Sequence, residues 1–580
     1  MLREFQDLNW SPSHKSQAMA PTSYGSLRLE DAPPEPASAS SLRSSAAVAI
    51  ALCCAAVLVV GARHASETHA LRASADAAAD AAADVAAAVP SAGAAAAAAA
   101  PRLNFVHLLA DDLGQSDVAF NNASRGFLTP ALDALVADAQ TVRLTRFYVQ
   151  PICAPSRATL MTGRLAIYLG TQNKCWHKHD AAGAPLDKPF ISQVLKDAGY
   201  ATAVFGKWDL GWFRSEYTPT RRGFDRFLGF YGGDEGYFSH WANGGFDWVD
   251  DDAPAYDGYR GYDALNGTYT DDLLLPAAAA FVARHAANAT PFFAYMSFQN
   301  VHRPLEARDA ALARFPHLEG VLKLKAAMVS SLDDAVANVT TALVDAGALA
   351  RTVLWFHSDN GSPGDRDGGS NFPYRGHKHQ LWEGGVRVPA FIRVPEALGV
   401  TPAKRDYDGL LHASDVFATY ASLAGVAAAD LPTLDGYDAW NAMVTGAPSP
   451  RGELLLDIAD PDSSMTISGG PLAALIWGDL KLVIGVNDDD DAYDATGGGF
   501  TELYNVSVDL FEQHNLVGDD EHAQVFKRMQ ERMDWYRGES VPVWTKDSSC
   551  SSAEVSWIGG MPLWLPWCDA ESKWCRENCS

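Results

Sequence analysis

From about Arg102 onward the chain repeats one pattern, a continuously apolar run that ends abruptly in polar residues. Asn104–Ala110 (NFVHLLA) runs into Asp111-Asp112-Leu113-Gly114, and Ala201–Phe205 (ATAVF) into Gly206-Lys207-Trp208-Asp209. Phe292–Phe298 (FFAYMSF) runs into Gln299-Asn300-Val301-His302, and Thr352–Phe356 (TVLWF) into His357-Ser358-Asp359-Asn360-Gly361. A strand with one wet face alternates polar and apolar positions, so runs without alternation predict parallel strands buried on both faces. Helical periods lie between them. Thr129-Pro130 opens one helix, with Thr as N-cap and Pro at the first helical position, leading into LDALVADA. ISQVLKDAG is another, closed by Gly199. Alternating strands and helices predict a doubly wound α/β sheet, whose ligand crevice lies outside the carboxyl ends of its strands. All four polar clusters fall there. Beyond about residue 450 the strands shorten (ELLLDIA, LAALIWG, LKLVIGV), and one helical stretch follows, HAQVFKRMQERMDWY.

The chain before Arg102 reads differently. Residues 1–45 are rich in Ser, Pro and small polar residues and read as a disordered tail. Residues 46–62 (AAVAIALCCAAVLVVGA) carry no charge and reach the short end of what spans a bilayer. They are read as an uncleaved signal anchor, with a cleaved signal peptide as the alternative. Residues 63–101 are mostly Ala, with Asp76, Asp80 and Asp84, and read as a stalk. A large body over 102–449 and a smaller part over 450–580 complete the division.

Composition changes this picture in two places. Lys and Arg number 45 against 71 Asp and Glu, a net charge of −26, which argues against a nucleic-acid binder and for a surface that repels polyanions. Of eight cysteines, Cys53 and Cys54 lie in the apolar run, while Cys550, Cys568, Cys575 and Cys579 crowd the end and Cys153 and Cys175 stand alone upstream. The terminal cluster matches no metal spacing and points to disulfides in an oxidising lumen. Sequons at Asn122, Asn266, Asn288, Asn338 and Asn505 are compatible with the secretory route. The predicted topology is a single-pass type II membrane protein with a lumenal or extracellular body, or, after cleavage, a secreted or lysosomal protein. The acidic run Asp488–Asp491 reads as a solvated loop. Trp557, Trp564, Trp567 and Trp574 either line a glycan cleft or pack around disulfides.

The polar clusters carry the chemistry. Asp111, Asp112, Asp359 and Asn360 are hard oxygen ligands from two strand ends and suit Ca²⁺ or Mg²⁺. Lys207, His302 and Lys378 add positive charge or proton transfer. A divalent cation with fixed cations in one crevice predicts an anionic ester substrate.

Before the helical stretch ATLMTGR stands Cys153-Ala154-Pro155-Ser156-Arg157; the chain's own residue frequencies give at most about 0.03 chance occurrences of its Cys, Pro and Arg at that spacing. CAPSRATLMTGR resembles the sulfatase signature. LADDLG, PTRRGFDRFLGFYGG, NVHRPL, HSDNG, RGHKHQLWEGGVRVP, LPTLDGYDAWNAM and DLFEQHNL resemble sulfatase segments in the expected order, most closely those of the arylsulfatase B (N-acetylgalactosamine-4-sulfatase) branch. The resemblance implies an alkaline-phosphatase-like sheet and a smaller C-terminal α+β domain with a short antiparallel sheet and a packed helix. It implies that a formylglycine-generating enzyme oxidises Cys153 to formylglycine, whose hydrate attacks a sulfate ester, and that Pro155 and Arg157 serve that modification. Arg157 also steadies the hydrate. Asp111, Asp112, Asp359 and Asn360 become Ca²⁺ ligands, with residue 153 completing the sphere. Lys207 and Lys378 hold sulfate oxygens, and His302 contacts the sulfate and protonates the leaving oxygen. Cys175 pairs with a C-terminal cysteine, leaving one thiol unassigned. The substrate implied is a sulfated carbohydrate.

One position departs from the pattern. The family usually reads GKWHLG, and this chain reads Gly206-Lys207-Trp208-Asp209-Leu210-Gly211. Asp209 takes the place of the His credited with deprotonating the hydrate, and is expected to serve as that base. The alternatives are a phosphodiesterase or phosphonate-ester hydrolase of the same superfamily, and a glycan binder that lost turnover through Asp209. The cations around Cys153 predict a positive pocket inside an acidic shell, so binding of highly sulfated polymers should improve with salt or Ca²⁺.

Overall fold

The computed structural model describes residues 102–543, apart from 173–174, 177–179, 252, 255–263, 459–469 and 487–498, and the strand segments 556–558 and 561–563. The tail, the apolar run 46–62, the stalk, Asp488–Asp491, Trp564, Trp567, Trp574 and every cysteine except Cys153 and Cys175 lie outside the described residues. Among the described residues no helix is long and apolar enough to cross a membrane.

Ten strands form the main sheet: β1 (Asn104–Ala110), β2 (Thr141–Leu144), β3 (Ala201–Lys207), β4 (Arg226–Phe230), β5 (Val249–Asp250), β6 (Ala253–Pro254), β7 (Phe292–Ser297), β8 (Thr352–Ser358), β9 (Ala390–Arg393) and β10 (Asp406–Tyr407). Their order is β10-β2-β9-β8-β1-β7-β3-β4-β5-β6. The four runs singled out in the sequence are neighbours at the centre, and with β4 they make five parallel strands. The sheet as a whole is mixed, because β9 and β5 run antiparallel to their central neighbours.

Both faces of the centre are covered. Phe105 and Leu109 of β1 pack with Trp355 and Tyr295 toward helices α2 (Cys153–Thr162), α3 (Ile191–Asp197) and α6 (Asp415–Leu423). Val106 and Leu108 face the other way, toward α1 (Pro130–Ala137), α4 (Thr270–Ala287) and α5 (Gly320–Asp345). Met328, Leu332, Val336, Val339 and Leu343 make the buried stripe of α5 at helical spacing. Successive residues of one strand therefore belong to opposite cores, which explains the lack of alternation.

Helix α1 corrects one local expectation. Thr129 does sit at the N-cap and Pro130 at the first position, but the Thr129 hydroxyl makes no cap bond. It accepts the Ala119 N–H at 2.9 Å. The free N–H groups of Ala131 and Leu132 donate instead to the Asp333 carboxylate of α5, at 3.0 and 2.8 Å. Sequence-local capping was overridden by a carboxylate brought in from another helix.

A second sheet is an antiparallel meander, β11 (Glu453–Ile458), β12 (Gly470–Trp477), β13 (Leu480–Val486) and β14 (Gly499–Asn505). Helix α7 (Ala523–Glu539) packs on it through Met529, Met533 and Tyr536. The polar composition of GFTELYN concealed β14 from the pattern. A small third sheet joins the hairpin of Trp241–Ala242 and Gly245–Phe246 to the strands Ser556–Ile558 and Met561–Leu563, with Leu563 opposite Phe246.

A buried ion cluster ties the meander to the main body. Lys481 of β13 lies 2.9 Å from Glu383 Oε1 and 2.8 Å from Glu512 Oε1. Tyr148 donates to Glu383 Oε2 at 2.8 Å, and Arg387 completes the set at 3.2 Å. Removing one member strands a charge in a dry site, so Lys481→Met should cost about 3–5 kcal/mol in urea unfolding. Arg314→Ala, which breaks the exposed pair with Asp334, should cost at most about 1 kcal/mol. Burial pushes the Glu512 carboxyl up to about 7, against the pull of Lys481. The folded protein thus holds that proton more tightly than the unfolded chain. This contribution to stability is complete below about pH 4.5 and is lost as pH rises through about 7. Glu512→Gln should flatten the stability profile over that window.

Candidate active site

The register of the central strands levels their carboxyl ends. Ala110 stands opposite Ser358, and Ser297 opposite Gly206. The residues that follow each strand therefore emerge on one edge. Close approach there demands glycine at particular points. A Cβ on Gly206 would lie 2.1 Å from the Ser297 carbonyl oxygen, and one on Gly361 1.8 Å from that of Gly384. Asp112 and Asp209 turn the chain at φ +59° and +56°, a left-handed conformation that Asp, Asn and His tolerate better than other side chains.

Four carboxylates meet four fixed cations at this edge. Arg157, fully buried on α2, holds Asp359 Oδ2 with its Nη2 at 2.6 Å and its Nε at 3.0 Å, and lies 3.5 Å from Asp111 Oδ2. Its third group, Nη1, donates to Ser297 Oγ at 2.5 Å. Lys207 lies 2.8 Å from Asp111 Oδ2 and 3.6 Å from Asp209 Oδ2. Lys378 lies 2.6 Å from Asp112 Oδ1. Lys325 of α5 donates to the carbonyls of Val301 and Asp112 at 3.1 and 3.3 Å. Burial alone would raise the Asp112 carboxyl, but Lys378 and His302 override it and hold it well below the usual carboxylate range. Burial works against charge on Lys378 and Lys207 too, and there Asp112 and Asp111 respectively prevail and raise both ammonium groups.

His302 is half-buried beside this set, its Nε2 3.6 Å from Asp112 Oδ2. Its Nδ1–H donates to the Arg303 carbonyl at 2.6 Å, which leaves Nε2 as the acceptor of the neutral ring. Burial and the Lys378 charge push its pKa down to about 4.

Ligand atoms of Asp111, Asp112 and His302 lie within 4.8 Å of one another. Asn360 donates its amide to Asp112 Oδ1 at 2.7 Å. Two buried oxygens here, Asp111 Oδ1 and Asn360 Oδ1, accept no hydrogen bond. Orphaned buried acceptors on a hard-oxygen set are what a divalent cation satisfies, so the donors fit Ca²⁺ or Mg²⁺. Asp359 stands in the same cluster with both oxygens engaged, Oδ2 by Arg157 and Oδ1 by the Asp112 N–H at 3.3 Å.

Cys153 opens α2 and is 6% exposed. The turn before it is pinned by Ser156, whose hydroxyl accepts the Gln150 N–H at 2.9 Å and donates to the Gln150 carbonyl at 3.0 Å. The free N–H groups of the helix start favour negative charge at residue 153. A cavity of about 260 Å³ opens above it, lined by Asp209, His302 and Lys378 among others. All the residues selected from sequence, Asp111, Asp112, Cys153, Arg157, Lys207, Asp209, His302, Asp359, Asn360 and Lys378, come together here.

Cys175 is a free thiol 3.5 Å from Cys153 Sγ, and the C-terminal cysteines it was expected to join lie outside the described residues. The hydrogen bond between the two thiols, together with burial, raises the Cys153 pKa. The sequence reading missed Lys325, Ser297, Trp176 and His379. Lys325 is a lone Lys on the apolar face of α5, and His379 lies inside RGHKHQ. Of the sequon residues, Asn266, Asn288 and Asn338 are exposed, and Asn122 and Asn505 are half-buried.

A family model described as Sulfatase matches residues 103–426. Arylsulfatase J of Mus musculus is 32% identical over 514 residues, covering 82% of this chain and 82% of its own. N-acetylgalactosamine-6-sulfatase of Sus scrofa is 30% identical over 373 residues, covering 60% of this chain and 67% of its own. The solved structure of Ps i-CgsB in complex with k-i-k-neocarrahexaose is 27% identical, with a TM-score of 0.64 and coverage of 77% of this chain and 95% of that one. The chain belongs to the sulfatase family, enzymes that hydrolyse sulfuric esters.

Proposed function

We propose that this protein hydrolyses sulfate esters on sulfated carbohydrates, with residue 153 converted to formylglycine and Ca²⁺ held by Asp111, Asp112, Asp359 and Asn360. The observation that carries this reading is the convergence of Cys153, at a helix start, with orphaned hard oxygens and fixed cations in one cavity. Hydrated formylglycine supplies the attacking oxygen. Arg157, locked between Asp359 and Ser297, orients residue 153 from behind. Lys207 and Lys378 draw sulfate oxygens into the cavity and offset the charge that grows there. With the fixed charges balanced, a bound divalent cation makes the site net positive, which suits an anionic ester inside an acidic molecule. His302 presents Nε2 toward the leaving oxygen and, when protonated, delivers the proton to it. The body is read as lumenal or extracellular, with residues 46–62 as its membrane anchor, or as secreted or lysosomal after cleavage.

Asp209 is assigned the role of base in the release of sulfate. It lines the cavity, it is 2% exposed, and its Oδ2 accepts no hydrogen bond. A free buried lone pair beside the nucleophile is what proton abstraction needs. The same feature favours a second reading, a binder of sulfated glycans with impaired turnover.

Three measurements follow. Protein made with the formylglycine-generating enzyme should release sulfate from an aryl sulfate and prefer it over an aryl phosphodiester; the reverse preference would assign it to the phosphodiesterase side of the superfamily, and no turnover of either would support the binder. Asp209→Asn keeps a residue that tolerates the local backbone. It should give one rapid burst of phenol and then turn over about 100-fold or more slowly; an unchanged steady rate at all pH values would remove Asp209 from the mechanism. Ca²⁺ at about 100 times its Kd should stabilise the fold by roughly 2.7 kcal/mol in thermal unfolding, and Asp111→Asn should abolish that gain.

A further inference from the structure

The lining of the cavity above residue 153 includes one charged group, Asp234, that the hydrolysis itself does not use. Lys378 supplies positive charge on one side, with the neutral His302 ring beside it, and both lie against Asp112. Asp209 and Asp234 make an acidic side, and Trp176, Asn243 and His379 complete the lining. The two carboxylates belong to adjoining surfaces, because a Cβ at Gly233 would lie 3.3 Å from Asp209 Oδ1.

Asp234 sits on a segment whose other members are fastened. The N–H groups of Tyr231 and Gly232 both donate to the buried Asp247 carboxylate at 2.9 Å. The Glu235 carbonyl accepts from Gln299 at 2.6 Å, and its Oε1 lies 3.0 Å from His240 Nδ1. Gly236 donates to the Trp241 carbonyl at 3.0 Å, and Tyr237 to Glu306 at 2.8 Å. Asp234 alone is idle. Among the described residues its half-buried carboxylate has neither a hydrogen bond nor an ion pair. Asn243, at φ +48° in the Asn-Gly turn of the Trp241–Phe246 hairpin, is exposed and equally unengaged. That hairpin is itself held by the strand Met561–Leu563. Polar groups shielded from solvent are normally engaged by the fold. Unengaged ones on a fastened loop, next to a buried Asp209 oxygen that also lacks a hydrogen-bond donor, are preorganised for a ligand.

We propose that Asp234 and Asn243 read hydroxyls of the sugar ring that carries the scissile sulfate, and that Asp209 and Asp234 together select rings with one sulfate over rings with a second anionic group. This rests on the reading of the protein as a carbohydrate sulfate-ester hydrolase. A carboxylate accepts hydrogen bonds from two neighbouring hydroxyls at once, a geometry that sugars offer and water-solvated aryl esters do not. A second sulfate or a uronic acid carboxylate on the same ring would face like charge across the acidic side. The specificity residues therefore fall on the 231–243 segment, which the strand-end motifs do not include.

The test compares an aryl sulfate, a neutral hexose monosulfate with free neighbouring hydroxyls, and the corresponding disulfate, using converted full-length enzyme. The wild type should favour the monosulfate over the disulfate. Asp234→Ala should lower kcat/KM for the monosulfate by about 10- to 100-fold, mainly through KM, and by at least about tenfold more than for the aryl sulfate. It should also narrow the gap to the disulfate. Asp234→Asn, which keeps one acceptor, should retain part of the monosulfate activity and lose the discrimination. Equal effects of Asp234→Ala on sugar and aryl substrates, or a wild-type preference for the disulfate, would overturn the assignment while leaving sulfatase activity in place. Absence of activity on all three substrates would overturn the function itself and this inference with it.

Discussion

Everything at the active edge depends on one arrangement, the buried contact of Asp111 and Asp359 with Arg157 and Lys207. The two carboxylates leave adjacent parallel strands in register and sit close enough to share a guanidinium. Without the cations, two desolvated like charges would repel, and burial and Asp111 already raise the Asp359 carboxyl despite Arg157. Ion clusters of this kind add little to stability over an apolar core of equal volume, while breaking one is costly. What the arrangement provides is position. Arg157 fixes the start of α2, and hence residue 153, relative to the strand ends.

The same logic links distant parts of the chain. Lys378 reaches Asp112 from a turn that is fastened on two sides, by the His379 N–H to the Pro151 carbonyl at 2.7 Å and by the Gly361 N–H to the Gly385 carbonyl at 3.0 Å. Glu383, a few residues on, is clamped by Lys481 and Tyr148. The meander thus steadies the segment that supplies one of the cations, although it contributes no described side chain to the cavity lining. The segment carrying His302 is fastened by the His302 N–H to the Gln299 carbonyl at 2.8 Å and by the Asn300 amide to Asp271 at 2.7 Å.

Much of this was legible in the residues. Unbroken apolar runs marked the four strands that became neighbours, because a strand buried on both faces has no polar positions to spare. Polar residues at the run ends marked the crevice, because the carboxyl edge of a parallel sheet is where side chains can converge. The unread parts have physical reasons. Strands such as Gly499–Asn505 are half-wet and polar, so their period is weak. The Asp333 cap of α1 is a tertiary contact that no local pattern encodes. Lys325 is buried in a helix stripe where an apolar residue is the default. Asp234 and Asn243 lie on loops, where nothing periodic points inward. The closeness of Cys175 to Cys153 comes from a loop whose path no local pattern encodes.

Asp209 is where this chain departs from the usual family pattern, and it stands next to the residue on which the account turns. As a base in sulfate release, a carboxylate there needs residue 153 to carry a hydrate to deprotonate. The decisive measurement is the mass of the tryptic fragment 147–157 from protein produced with the formylglycine-generating enzyme. The aldehyde form of residue 153 is expected as the main species. A fragment carrying the intact Cys153 thiol throughout would contradict it.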